Sequence, residues 1–190
     1  LSFSQERLWF LDQLEPGSTS YHMPAVVRLE GRLDVSALER ALEEVVRRHE
    51  ALRTRFEVRD GRPVQVIEEE TRFALQVEEC SEPALDERIA EEAARPFDLS
   101  RGQLLRTTLL RLSDVDHVLV SVFHHVVSDG WSLGVLVREV TALYRAHLQG
   151  EDPSLPELPV QYADYAVWQR RHLSGERLSG ELAHWRERLA

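Results

Sequence analysis

Apolar side chains follow two different spacings along the chain, and the two spacings alternate from one end to the other. Apolar positions three and four residues apart indicate amphipathic helices, whereas short runs rich in valine, leucine and phenylalanine indicate strands. The pattern predicts six helices, at Ser4–Leu14, from Asp34 or Ser36 to Arg48, and at Pro83–Ala94, Trp131–Leu148, Val160–His172 and Leu178–Leu189. It predicts six strands, at Met23–Leu29, Leu52–Val58, Val64–Ile67, Phe73–Val77, Leu104–Leu112 and His117–Phe123. Helices and strands that interleave in this way predict an α/β sandwich.

The segment HHVVSDGWS, from His124 to Ser132, stands directly after a valine-rich predicted strand. Neighbouring side chains on a strand point to opposite faces, so only one of the two histidines is expected to face a reactive cavity. Asp129 and Gly130 are expected to form a tight turn, because aspartate bonds its own backbone and glycine tolerates positive φ. The histidines are then held between a strand and the helix that begins near Trp131.

Three kinds of role are open for these polar residues. A histidine at a strand end can be a polar residue satisfied by its neighbours, with no part in catalysis. His124, His125 and Asp129 are all metal-ligand types. Adjacent strand histidines diverge, however, and no HExxH pairing follows on the next helix, which disfavours a metal site. The third role is that of a catalytic histidine at the end of a rigid strand.

HHVVSDG resembles the HHxxxDG signature of condensation domains from nonribosomal peptide synthetases, a branch of the chloramphenicol acetyltransferase-like fold. Three further segments resemble the family's motifs in the same order, at Leu1–Ser18, Arg48–Phe56 and Tyr162–Gln169. The resemblance implies an α/β sandwich lobe with a central, mainly antiparallel or mixed sheet and flanking helices. It also implies that residues 1–190 are the N-terminal subdomain of a two-lobed domain, with the C-terminal lobe absent from this chain. A start inside a motif agrees with a piece of a longer protein.

The activity implied by the resemblance is amide-bond formation between a donor acyl or peptidyl thioester and the α-amine of an acceptor aminoacyl thioester. His125, the second histidine of the motif, is then the catalytic candidate. The supporting or structural residues at the site are then His124, Asp129, Gly130 and Arg53. We expect Asp129 to bond local backbone groups or an arginine rather than to polarise His125. Arg53 and Arg55 are expected on a strand, with one of them in an ion pair under the histidine loop or both on a solvated face.

The resemblance implies no cofactor of the chain's own, because the substrates hang from 4′-phosphopantetheine arms on donor and acceptor carrier proteins. The missing C-terminal lobe is a further implied partner, and one lobe is expected to be inactive alone. Two other functions stay open. An epimerisation-type domain shares the fold and the histidines, although its typical continuation after the motif is absent here. A non-catalytic docking lobe for a carrier protein is the second alternative.

Composition narrows the set of partners. The formal net charge of −10 argues against nucleic acid and anionic membranes. No apolar run reaches the length of a transmembrane helix. Cys80 is the only cysteine, so an internal disulfide is excluded. A chain of 190 residues, 43% of them hydrophobic, can bury one core, and the resemblance implies a cytoplasmic protein.

Overall fold

A four-stranded mixed sheet lies at the centre of the structure, a computed structural model that describes residues 1–70, 73–153 and 155–189. The helices are α1 (Phe3–Leu14), α2 (Val35–Arg48), α3 (Leu85–Ala94), α4 (Gly130–Gln149), α5 (Tyr162–His172) and α6 (Gly175–Leu189). The strands are β1 (His22–Glu30), β2 (Thr54–Arg59), β3 (Arg62–Ile67), β4 (Gln76–Glu79), β5 (Leu105–Ser113) and β6 (Asp116–His124). Short 3₁₀ turns lie at Glu50–Arg53 and Glu82–Ala84.

The strand order in the central sheet is β1-β6-β5-β4, and β2 pairs with β3 in a separate hairpin. Strand β6 runs antiparallel to both β1 and β5, whereas β4 runs parallel to β5. The predicted α/β class with a mixed sheet and flanking helices is therefore confirmed. The register of β1 and β6 places His22 opposite His124, at the end of the sheet where the histidine segment begins.

Strand β6 is buried on both faces. On one face, Val118, Val120 and Val122 pack in a cluster that includes Phe97. On the other face, Phe123 packs in the cluster to which α2 and α4 contribute. Burial of apolar surface is the dominant stabilising term in folding, so this strand is firmly anchored up to its last residues. The histidines therefore stand on a rigid support.

Two predicted strands begin later than the sequence pattern indicates. The strand expected at Leu52–Val58 begins at Thr54, because the 3₁₀ turn at Glu50–Arg53 buries Leu52. The strand expected at Phe73–Val77 is instead β4, since the backbone N–H of Leu75 donates to Glu39 of α2 rather than to the sheet. Buried turns and strands present the same short apolar runs, so their boundaries cannot be separated by periodicity.

Three helix starts differ from the prediction by two or more residues. The helix expected from Pro83 begins at Leu85, because the preceding residues form the 3₁₀ turn, and the helix expected from Val160 begins at Tyr162. Helix α6 begins at Gly175, before the predicted Leu178. The predicted helix at Trp131–Leu148 is confirmed as α4, and it is capped by Gly150, whose φ of +68° suits a left-handed cap.

Helix α5 is tied to the start of the chain, whereas α6 is not packed on the sheet. The hydroxyls of Ser2 and Tyr162 are 3.0 Å apart, and Nε of Arg170 donates to the carbonyl oxygen of Leu1 at 2.9 Å. None of the side chains described in α6 is buried. Within the described ranges, no helix is both long and apolar enough to cross a membrane.

The start of α2 provides a test of the fold. Asp34 and Ser36 are both possible caps in the sequence, and the structure selects Asp34, whose Oδ1 accepts the N–H of Ala37 at 2.9 Å. We expect Asp34→Ala to lower the free energy of unfolding by about 1 kcal/mol, measured by urea denaturation. Ser36→Ala removes an exposed hydroxyl and is the matched control, with a change below about 0.5 kcal/mol. Equal losses in the two variants would contradict the assignment of the cap.

Candidate active site

The histidine segment reverses direction immediately after β6. The N–H of Val127 donates to the carbonyl oxygen of His124 at 3.1 Å, which closes a turn over residues 124–127. The prediction that Asp129 and Gly130 form this turn is therefore wrong. Gly130 is the first residue of α4, its φ is not positive, and a Cβ built on it meets nothing within 4 Å. The chain reverses earlier because the N–H of His125 donates to the carbonyl oxygen of Tyr21, which stands directly before β1.

His125 is an exposed residue whose backbone and ring are both held. Its N–H donates to the carbonyl oxygen of Tyr21 at 2.8 Å, and its Nδ1 lies 2.6 Å from the carbonyl oxygen of Ser128. A carbonyl oxygen can only accept, so Nδ1 carries a proton. In the neutral ring Nε2 therefore presents a lone pair, which is the state that a general base requires.

His124 lies in the opposite environment. It is 3% exposed, and its Nδ1 accepts the N–H of Val126 at 3.1 Å. Burial and, to a smaller extent, the neighbouring His22 and His125 together lower the pKa of His124 to about 4. His124 is therefore neutral at pH 7, and it holds the turn on which His125 stands. The two adjacent histidines are separated into one buried and one exposed group.

Asp129 caps helix α4. Its Oδ1 accepts the N–H of Ser132 at 2.8 Å and the hydroxyl of Ser132 at 2.6 Å, and these hydrogen bonds hold the pKa of the carboxyl below its usual range. The structure describes no hydrogen bond between Asp129 and His125, and within the described residues Asp129 has no arginine partner. Of the two expected bonds, to local backbone or to an arginine, the geometry contains the first.

Of the two places expected for Arg53, the ion pair under the histidine loop is not formed in the described part of the chain. Arg53 belongs to the 3₁₀ turn rather than to a strand, and its guanidinium donates to the carbonyl oxygens of Arg47 and Glu68. Among the described residues, it forms no hydrogen bond or ion pair with residues 124–130. Arg53 therefore joins the end of α2 to the residues after β3, because backbone carbonyls left free at both places accept its donors.

Gln5 and Phe97 support the histidine turn, although the sequence pattern did not single them out. Gln5 is 1% exposed, and its Nε2 is 3.5 Å from the carbonyl oxygen of Val126. Phe97 packs its ring edge-on against both His22 and His124. The capping box formed by Ser2 and Gln5 at the start of α1 was readable from the sequence, but the contact with the turn was not. Across the described residues, no group of three or more metal-ligand side chains is arranged to hold an ion.

A family model described as "Condensation domain" matches residues 1–190. The chain is 50% identical to one component of the linear gramicidin synthase of Brevibacillus parabrevis over 197 aligned residues, which cover all of this chain and 4% of that protein. It is 47% identical to phosphinothricin tripeptide synthetase PhsC from Streptomyces viridochromogenes, covering all of this chain and 18% of the relative. The chain thus spans a small part of the curated relatives that it matches.

Solved structures give the same result. The X-domain from teicoplanin biosynthesis, in its complex with OxyB, matches with a TM-score of 0.93 and 36% identity over all of this chain and 43% of that one. The first condensation domain of the calcium-dependent antibiotic synthetase has the same fold, with a TM-score of 0.86 and 24% identity over 97% of this chain and 46% of that chain. This chain belongs to the condensation-domain family of nonribosomal peptide synthetases.

The buried imidazole predicts a dependence of stability on pH. Because the pKa of His124 falls from 6.5 to about 4 on folding, the unfolded chain binds more protons between these two values. The contribution of neutral His124 is fully present above pH 6.5 and is lost as the pH falls toward 4. We expect His124→Asn to flatten the decline in the free energy of unfolding over this range by on the order of 2 kcal/mol, measured by urea denaturation.

The matched control for this measurement is His184→Asn on the exposed face of α6. It removes an imidazole that is accessible to water, so its pH profile is expected to follow that of the unmodified chain. A profile for His124→Asn that also follows the unmodified chain would show that the burial of His124 does not govern its protonation.

Proposed function

We propose that this chain is the histidine-bearing, N-terminal subdomain, residues 1–190, of a condensation domain that forms amide bonds. A donor acyl or peptidyl thioester and the α-amine of an acceptor aminoacyl thioester are the substrates, each attached to the 4′-phosphopantetheine arm of a carrier protein in the cytoplasm. The observation that carries the proposal is the geometry of His125. Its Nδ1–H is bound to the Ser128 carbonyl, and its Nε2 is available at the surface.

The chemistry asks little of a base before attack. A free α-amine has a pKa of about 8 and an imidazole about 6.5, so both are partly unprotonated at neutral pH. The amine nitrogen forms a bond to the thioester carbon and becomes ammonium-like. Nε2 of His125 takes the proton from that nitrogen, which prevents expulsion of the amine. The C–S bond then breaks, and the thiolate leaves and is protonated.

The neighbouring residues act on the shape of the site. His124 and Asp129 hold the turn and the start of α4, and neither is placed to exchange a proton with the substrate. The N–H of Gly130 lies in the first turn of α4, where backbone donors have no partner within the helix, and it is the candidate donor to the thioester oxygen. Arg53 has no part in the proposed chemistry.

This chain matches less than half the length of the solved structures, so the proposal requires a second lobe as well as carrier proteins. The chain covers 43% to 46% of the two solved structures described above. We propose that a C-terminal lobe of similar size supplies the opposite wall of the reaction channel. Donor and acceptor carrier proteins are then the binding partners, and 4′-phosphopantetheine enters as part of the substrates rather than as a cofactor of the chain.

A second candidate function is a docking lobe without catalysis. The X-domain that shares 36% identity with this chain was solved in a complex with another protein, OxyB. A domain with this fold can therefore bind another protein. The exposed His125 with a free Nε2 favours the catalytic function, because a binding surface does not require an oriented base.

Replacement of His125 tests the choice between these functions. In the synthetase that contains this chain, we expect His125→Ala to lower the rate of amide formation on the order of 10² to 10⁴-fold, because the ammonium-like nitrogen loses its proton acceptor. Intact-mass analysis of loaded donor and acceptor carrier proteins measures the transfer. The same assay with the 190-residue chain alone is expected to show no transfer.

The outcomes separate the two functions. Near-normal turnover of His125→Ala would contradict the catalytic role of this histidine. Transfer by the 190-residue chain alone that disappears in His125→Ala would show that one lobe is sufficient. Carrier-protein binding without transfer by the whole synthetase, with and without the substitution, would support the docking lobe.

Replacement of Asp129 tests whether its role is confined to the fold. Asparagine also caps helices well, so we expect Asp129→Asn to retain both the free energy of unfolding and the rate of transfer within about threefold. Asp129→Ala removes the cap and is expected to cost about 1 kcal/mol of stability. Complete loss of turnover in a stably folded Asp129→Asn protein would assign the carboxylate to the chemistry instead.

A further inference from the structure

His22 is a half-buried residue that the proposed chemistry does not use. It stands opposite His124 across the pair of strands β1 and β6. Its Nδ1 lies 2.7 Å from the carbonyl oxygen of Ala93, at the end of α3. A carbonyl only accepts, so Nδ1 carries the proton and the neutral ring has its lone pair at Nε2. This Nε2 atom is buried and has no hydrogen-bond partner among the described residues.

The ring of His124 has its proton on the opposite kind of nitrogen, so its Nε2 is a donor. Because its Nδ1 accepts the N–H of Val126, the proton of the neutral ring is on Nε2. The described residues offer no acceptor to that N–H. His22 on one strand thus presents a buried acceptor without a donor opposite His124 on the other strand. Buried polar groups are nearly always hydrogen-bonded, so the unpartnered Nε2 of His22 requires an explanation.

The separation of the His22 and His124 rings excludes a direct hydrogen bond between them. The ring centroids of His22 and His124 are 6.3 Å apart, with an angle of 70° between the ring planes. A direct N–H···N bond of about 3 Å would bring the centroids closer than this. A centroid separation of this size is compatible with one water molecule between the two Nε2 atoms, which would give both groups a partner. Phe97 packs edge-on against both rings and fixes their orientation.

We propose that His22 is a positioning residue for His125. One ordered water accepts the Nε2 proton of His124 and donates to Nε2 of His22. This bridge selects the Nε2–H form of His124, which is the only neutral form that can accept the N–H of Val126. The carbonyl oxygen of Ala93 orients the ring of His22, and His22 orients the ring of His124 through the water. His124 in turn holds the turn that carries His125. The proposal rests on the proposed function only for the reactive role of His125.

Two substitutions of His22 separate its two nitrogen atoms. His22→Asn retains a donor near the position of Nδ1 but has no acceptor that reaches the position of Nε2. His22→Gln places an acceptor near the position of Nε2. NMR of the ¹⁵N-labelled 190-residue chain at pH 7 reports the tautomer of each of the eight histidines, and His124→Asn assigns the signal of His124.

The unmodified chain and His22→Gln are expected to contain His124 in the Nε2–H form alone. In His22→Asn, we expect both tautomers of His124 and an amide hydrogen exchange of Val126 that is about tenfold faster. His184→Asn is the matched control and should leave both readouts unchanged. An Nε2–H form of His124 and normal exchange at Val126 in His22→Asn would overturn the proposal.

Two further measurements test the water bridge and the positioning role separately. A high-resolution crystal structure of the unmodified chain is expected to show one water within hydrogen-bond distance of both Nε2 atoms, and its absence would refute the bridge. In the whole synthetase, His22→Asn is expected to lower kcat about tenfold without a change in KM. Unchanged kcat with a mixed His124 tautomer would refute positioning. A fully active His125→Ala enzyme would refute the proposed function and leave the NMR result intact.

Discussion

The antiparallel pairing of β1 with β6 is the constraint on which the histidine site depends. It places His22 against His124, and it brings the carbonyl of Tyr21 to the N–H of His125. Without the neighbouring strand, the N–H of His125 would lose its acceptor, and the turn would retain its internal hydrogen bonds and the contact with Gln5. A slip of this pairing by one residue would turn Val118, Val120 and Val122 away from the cluster that includes Phe97. The register of β1 against β6 therefore determines the position of His125.

The environment of His125 also limits what its neighbours contribute. Its Nδ1–H is bound to a backbone carbonyl, which fixes the tautomer and the orientation of the ring. A carboxylate in that place would in addition stabilise the protonated ring, but Asp129 is engaged by the N–H and hydroxyl of Ser132. The geometry therefore supplies orientation. That suits the proposed reaction, in which the nucleophile is already partly unprotonated at neutral pH.

Sequence patterns predicted what depends on local periodicity, and failed where long-range contacts decide. The valine-rich strand and the helix after it were clear, because their apolar spacing is imposed by burial on neighbouring elements. The turn was misplaced since a strand distant in sequence, with Tyr21 at its edge, provides the acceptor that ends β6. Arg53 was assigned to the wrong place for a related reason: a charged residue near an apolar run gives no indication of which carbonyls it will meet. His22 was unrecognised because nothing in its own segment indicates that it faces His124.

The different packing of the last two helices affects how this domain could be recombined with others. Helix α5 is bound to the first residues of the chain through Tyr162 and Arg170, whereas none of the residues described in α6 is buried. A chimeric synthetase joined at residues 173–174, between these helices, would preserve every hydrogen bond described here around His125. A junction upstream of α5 would instead separate α1 from the helix that anchors it, and with α1 the buried Gln5. The natural breakpoint for exchange is therefore the short link before α6.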